Sequence, residues 1–203
     1  MTTPELYNKI SNLIPKLHGW CDVPKAISLA NLVLASKPAV IVEIGAWGGR
    51  SVIPMALACK QNGWGTVICI DPWDATASAS GQTSEVDKEW WANVVNHELV
   101  YQHFLYNIKE LKLETIIEIH RIRSADCEPP PRIDLLHVDG NHGPESCADT
   151  MRYAPKIDVG GFCVLDDLHW TGGYVEKSAE WLKANGFIEL HPVGTGAVYL
   201  RTK

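Results

Sequence analysis

The sequence predicts an α/β fold, a doubly wound and mostly parallel sheet with helices on both faces. Three observations carry this. Short apolar runs alternate with helix-length segments along the chain. No internal repeat or long linker interrupts 203 residues, which points to one domain. Hydrophobic residues make up 46% and charged residues 21%, which excludes disordered and fibrous classes. A chain of this length buries a core without staples.

The elements follow in order. Thr3-Pro4-Glu5 opens a helix, with Thr3 as cap, Pro4 in the first turn and Glu5 facing the dipole. Leu6, Ile10, Leu13, Ile14 and Leu17 continue it at helical spacing. A second helix runs from about Pro24 to Ser36 and stops before Pro38. Strands are expected at Ala39–Ile44, Thr66–Ile70, Thr115–Ile122, Ile133–Val138 and Gly161–Leu165. A closing hairpin pairs Phe187–His191 with Ala197–Arg201. Helices are expected at Arg50–Lys60, Glu85–Leu111 (in one or two pieces), Glu145–Lys156 and Gly173–Asn185. Residues 74–84 are small and polar and read as a loop or lid. The organisation expected is a helical segment at 1–38 and a ligand-binding domain at 39–203, with 74–111 as a lid or insert.

Composition also limits partners and location. Net charge is −6 and no Lys/Arg block stands out, so nucleic acid is not the expected partner. The most apolar stretch, Ile27 to Trp47, is broken by Asn31, Lys37, Pro38 and Glu43, so no membrane span is expected. The opening MTTPELYNKI has no basic-then-apolar leader. The six scattered cysteines lack a C-x-x-C pair and read as reduced, mostly buried thiols. A cytoplasmic protein is expected.

In a parallel sheet, ligands bind at the carboxyl ends of the strands. Those ends read Glu43-Ile44-Gly45, Asp71-Pro72-Trp73, Ser124-Ala125-Asp126, Asp139-Gly140-Asn141-His142 and Asp166-Asp167. The Gly45–Ser51 turn follows a strand and opens a helix, so its backbone can approach an anionic ligand. Trp47 breaks a G-x-G-x-x-G fingerprint, and no G-K-[ST] follows for a P-loop. Ile53 breaks G-x-S-x-G. A small ligand bearing a carboxylate suits this turn, and so does simple packing of strand on helix. Asp71 stands where an acid can accept two ribose hydroxyls, or can cap a turn before Pro72. Asp139, Asp166 and Asp167 make an oxygen-rich group whose charges repel unless a cation intervenes. Hard oxygen ligands suit Mg²⁺, Mn²⁺ or Ca²⁺ better than zinc, although Asp166-Asp167 also serves as a loop cap.

The runs E-I-G-A-W-G-G-R-S, C-I-D-P-W, I-D-L-L-H-V-D-G-N-H and G-G-F-C-V-L-D-D together resemble class I S-adenosylmethionine-dependent methyltransferases. Among these, the likeness is to metal-dependent O-methyltransferases of the catechol and macrolide-sugar types, over roughly Val40 to Trp170. The resemblance implies a Rossmann-like seven-stranded sheet whose last two strands form an antiparallel edge. It implies that Glu43, Gly45, Ala46 and Gly49 shape the donor turn and that Ser51 holds the methionine carboxylate. Asp71 would take the ribose, and Ser124 and Ala125 would meet the adenine edge. Asp139 belongs with the donor set and with the metal set. Asp139, Asp166 and Asp167 would bind Mg²⁺, with the substrate oxygens completing the shell.

By the same resemblance His142 is the catalytic base, the alternative being a surface histidine in a turn. An unperturbed imidazole titrates near 6.5, so it can take a proton from a hydroxyl acidified by a metal. His137, inside an apolar strand, reads as a hydrogen-bonded core residue, and His169 is not assigned. Trp73 covers the adenine or the substrate, or else packs in the core. Trp47, Trp90, Trp91 and Trp170 flank the same rim, where aromatic walls suit a sulfonium.

The function expected is S-adenosylmethionine-dependent O-methylation of a small-molecule hydroxyl, on a sugar or catechol-like diol, assisted by a divalent metal. Another metal-dependent or NAD-using enzyme on this fold and a non-catalytic nucleoside-binding module are the alternatives. A homo-oligomer is left open.

Overall fold

The computed structural model describes residues 2–82 and 84–203. Thr83, inside the expected lid, and Met1 lie outside the described residues. Seven strands form one sheet in the order β3-β2-β1-β4-β5-β7-β6. They are β1 (Val40–Ile44), β2 (Thr66–Ile70), β3 (Ile117–His120), β4 (Ile133–Val138), β5 (Ile157–Leu165), β6 (Phe187–Val193) and β7 (Gly196–Arg201). The first five run parallel, and β7 is antiparallel to β5 and β6. Strand order reverses between β1 and β4, the place where such sheets open a ligand crevice.

The helices are α1 (Thr3–Leu13), α2 (Val23–Ser36), α3 (Val52–Asn62), α4 (Ala75–Ser80), α5 (Glu85–Glu89), α6 (His97–Glu110), α7 (Pro144–Tyr153) and α8 (Tyr174–Ala184). Successive residues of a strand point to opposite faces, and two cores follow from that. Ile41 and Val67 join Leu6, Leu29, Met55 and Phe104 from α1, α2, α3 and α6. Val42 and Ile44 join Tyr153, Val175 and Leu182 from α7 and α8. The helices at 1–38 therefore share a core with the sheet.

Several element boundaries differ from the sequence expectation. The first helix is capped by Thr2, whose N–H donates to Glu5 Oε2 at 2.7 Å, so Thr3 is already helical. Residues 75–80 are helical rather than looped, because Asp74 caps them by accepting from the Ala77 N–H at 2.9 Å. The expected helix at 85–111 is broken by a π-helical turn over Trp90–Val94. β3 is shorter because Ile116 closes a turn onto Leu113. β5 starts earlier, since Gly160, at φ 92°, lets the ladder continue through a bulge. All six cysteines are free, and five are buried. No helix among the described residues is long and apolar enough to cross a membrane.

Gly45 ends β1 at φ 93°, with its N–H bound to the Ile70 carbonyl at 2.9 Å. A Cβ there would fall 2.1 Å from the Asp139 carbonyl oxygen. Gly45→Ala is therefore expected to lower stability by more than ~1–3 kcal/mol, combining left-handed strain with a backbone clash. Urea unfolding should show a lower midpoint at unchanged slope. An unshifted midpoint would contradict the close approach of the two strand ends.

Candidate active site

A cavity of about 680 Å³ opens over the ends of β1, β2, β4 and β5. At one end Asp71 borders it. Its Oδ1 accepts the Trp73 N–H at 2.7 Å and its Oδ2 the Trp47 N–H at 2.9 Å. Both tryptophans reach it from left-handed backbone, at φ 45° and 43°. Burial pushes the Asp71 carboxyl up to about 6, outweighing these hydrogen bonds. Each oxygen keeps a lone pair for a hydroxyl.

Trp73 does not border the cavity. Its side chain is buried against Phe104 and Tyr101, and its indole N–H donates to the Trp47 carbonyl at 2.9 Å. It fixes the Asp71 loop from below, so the core alternative is the one realised. Gly49 also lies under the surface, where a Cβ would meet Phe104 at 2.6 Å.

Gly45, Ala46 and Ser51 border the cavity, and Glu43 lies wholly beneath it. Glu43 and His137 are register partners on β1 and β4, and His137 Nδ1 sits 2.7 Å from Glu43 Oε2. The Ser51 hydroxyl donates to the other Glu43 oxygen. That proton is therefore committed to the protein. The cation beside this turn is Arg50, which the sequence reading did not single out. Its Nε donates to the Leu17 carbonyl at 2.8 Å and its side chain borders the cavity.

Ser124 borders the cavity and donates to Asp149 Oδ2 at 2.8 Å. Burial pushes the Asp149 carboxyl up to about 6. Ala125 does not border the cavity, and its carbonyl accepts from Arg152.

The other end holds Asp139, Asp166, Asp167 and His142. Asp139 and Asp166 extend the paired ends of β4 and β5, held by the Asp139 N–H to Ile44 and the Asp166 N–H to Val138. His142 Nε2 lies 2.9 Å from Asp167 Oδ2, close enough for charge pairing but without a hydrogen bond. Contact with His142, then the Thr195 hydroxyl, holds the Asp167 carboxyl below the usual range. Trp170 stacks on the imidazole with ring centres 4.4 Å apart. His169 points away to Glu176.

Lys25, from the first turn of α2, enters this cluster. Its ammonium binds Asp166 and lies 3.3 Å from Asp139 Oδ2, and the side chain is only 5% exposed. Burial opposes its charge, but Asp139 and Asp166 outweigh burial and hold it protonated. Burial would likewise raise Asp166, yet Lys25 holds that carboxyl well below its usual range. The expected metal trio is thus not free as a trio. Among the described residues, ligand atoms of Asp139, His142 and Asp167 do come within 4.8 Å of one another, as do those of Glu43, His137 and Asp139. Both sets include Asp139, which already faces the ammonium. The ammonium stands against the Asp139 and Asp166 oxygens that a divalent ion would have to take. With Lys25 in place, the site does not fit a divalent ion.

A methyltransferase-domain family model matches residues 42–168, more than half of the chain. The chain belongs to this family, and it is a class I S-adenosylmethionine-dependent methyltransferase. Solved structures share the fold at low identity. The O-methyltransferase NovP superposes with a TM-score of 0.70 at 19% identity, covering 90% of this chain and 81% of its own. TomG, an O-methyltransferase from Streptomyces achromogenes solved with S-adenosylmethionine, gives 0.63 at 15%, covering 98% and 90%. An O-methyltransferase from Bacillus cereus, solved with S-adenosylhomocysteine, gives 0.62 at 16%, covering 98% and 91%. A search of curated proteins finds no match.

Proposed function

We propose that the chain methylates a hydroxyl oxygen of a small molecule, a sugar or catechol-like ring. The observation that carries this is His142. Its ring borders the same cavity as Asp71, and its Nε2 faces Asp167 Oδ2 at 2.9 Å, which leaves Nδ1 to take a proton. A donor held at Asp71 and the Gly45–Ser51 turn would supply a methyl group on a positively charged sulfur, which keeps the C–S electron pair on transfer. The acceptor hydroxyl gives its proton to His142, and Asp167 at 2.9 Å stabilises the imidazolium so formed. Trp170 keeps the ring oriented. Asp71 and Arg50 fit the two polar ends of the donor, a ribose and a carboxylate. Trp47, Trp91 and Trp90 form adjoining faces, with ring centres 5.0 and 5.1 Å apart, suited to a flat or apolar ligand face. The O-methyltransferase titles of similar structures support the same chemistry. Metal assistance and a chelating diol, expected from the aspartates, are not part of this reading because of Lys25.

The test combines calorimetry with S-adenosylhomocysteine and a labelled-methyl assay over sugar and catechol-like acceptors. Binding with label transfer is expected. Absence of binding would reject the donor site. Binding with no transfer to any hydroxyl would favour the nucleoside-binding module instead.

A further inference from the structure

We propose that Lys25 takes the place of a divalent cation in this chain, bridging Asp139 and Asp166 in a site that works without metal. The ends of β4 and β5 set two carboxylates side by side, and adjacent like charges need a cation or a proton between them. Lys25 is built to be that cation. Its backbone N–H is fixed by the α2 cap, donating to Asp22 Oδ1 at 2.8 Å, so its place on the helix is set. Its stem runs under the β6–β7 turn, where a Cβ on Gly194 would stand 3.2 Å from Lys25 Cδ. The bare glycine leaves room for the stem. At the far end the ammonium meets Asp166 and Asp139 and has little access to water.

The arrangement divides the three aspartates by role. Asp166 and Asp139 are held by Lys25. Asp167 accepts the Thr195 hydroxyl at 2.6 Å and faces His142. Lys25 is in this sense a positioning residue, acting through the two carboxylates it holds.

Removing the ammonium should uncover a cation site. Lys25→Met keeps most of the stem but leaves Asp139 and Asp166 unpaired beside Asp167 and His142, an oxygen-rich set suited to Mn²⁺ or Mg²⁺. Lys25→Arg keeps the charge. The experiment titrates Mn²⁺ into wild type, Lys25→Met and Lys25→Arg, read by calorimetry and by the spin resonance of free Mn²⁺. Lys25→Met is expected to bind at least tenfold more tightly than wild type, with wild type and Lys25→Arg alike. In the activity arm, wild type is expected to work equally in EDTA and in Mg²⁺, and Lys25→Met to become Mg²⁺-dependent. Stoichiometric Mn²⁺ binding by wild type overturns the proposal, as does loss of wild-type activity in EDTA or a Lys25→Met protein indifferent to metal. If Lys25→Met fails to fold, the wild-type titration still decides. The binding arm holds whatever reaction the cavity serves; only the activity arm rests on the methyl-transfer reading.

Discussion

His142→Ala should lower kcat by about 10²–10⁴-fold, the range for losing a positioned general base. The affinity for S-adenosylhomocysteine should stay within about twofold, because His142 lies at the end of the cavity away from Asp71. The split matters. Trp170 loses its stacking partner in the variant, so a purely structural role would lower stability and binding together. An unchanged kcat would remove His142 from the chemistry. Loss of donor affinity in step with kcat would reassign it to folding or binding.

Asp71→Ala should weaken S-adenosylhomocysteine binding by about 10²–10⁴-fold. Hydrogen bonds to a charged group are worth ~1.5–3 kcal/mol each, and two ribose hydroxyls would lose their acceptor. The variant also frees the Trp47 and Trp73 N–H groups that the carboxylate holds. The wild-type pH dependence supplies a second test. Burial raises the Asp71 carboxyl to about 6, so protonation as pH falls from 7 to 5 should weaken binding. For unliganded stability the sign is opposite. Between the ordinary carboxylate value and about 6, the folded state binds more protons at Asp71 than the unfolded state does. This group therefore makes stability fall as pH rises through that window. Calorimetry across pH 5–7 checks the binding half. A flat affinity in wild type, or unchanged affinity in Asp71→Ala, would reject the ribose assignment.

The sheet was legible because each central strand is a short apolar run closed by an acid or a glycine. Those closing residues are also what the cavity presents: Gly45, Asp71, Asp139 and Asp166. The helix at 75–80 was not legible, because alanine and serine carry no apolar stripe and only Asp74 marks its start. Trp73 illustrates a different limit. A large aromatic next to a rim residue can face the ligand or the core, and its direction depends on a left-handed backbone that no pattern of residue types announces. Lys25 was the hardest to read. A lysine in a first helical turn ordinarily reads as solvated, and its partners lie 114 and 141 positions further on. Ser51 and Glu43 were visible as neighbours in the motif, but not that His137 from β4 would take the other Glu43 oxygen.

The span between Lys25 and Asp166 also bears on how the molecule is made. They stand 141 positions apart, so translation at 5–20 residues per second separates their appearance by roughly 7–28 s. During that interval the Lys25 ammonium lacks its Asp166 partner, although the α1, α3 and β1 residues that cover the apolar side of α2 are already made. Closure of so distant a pair is a slow, late event in chain assembly.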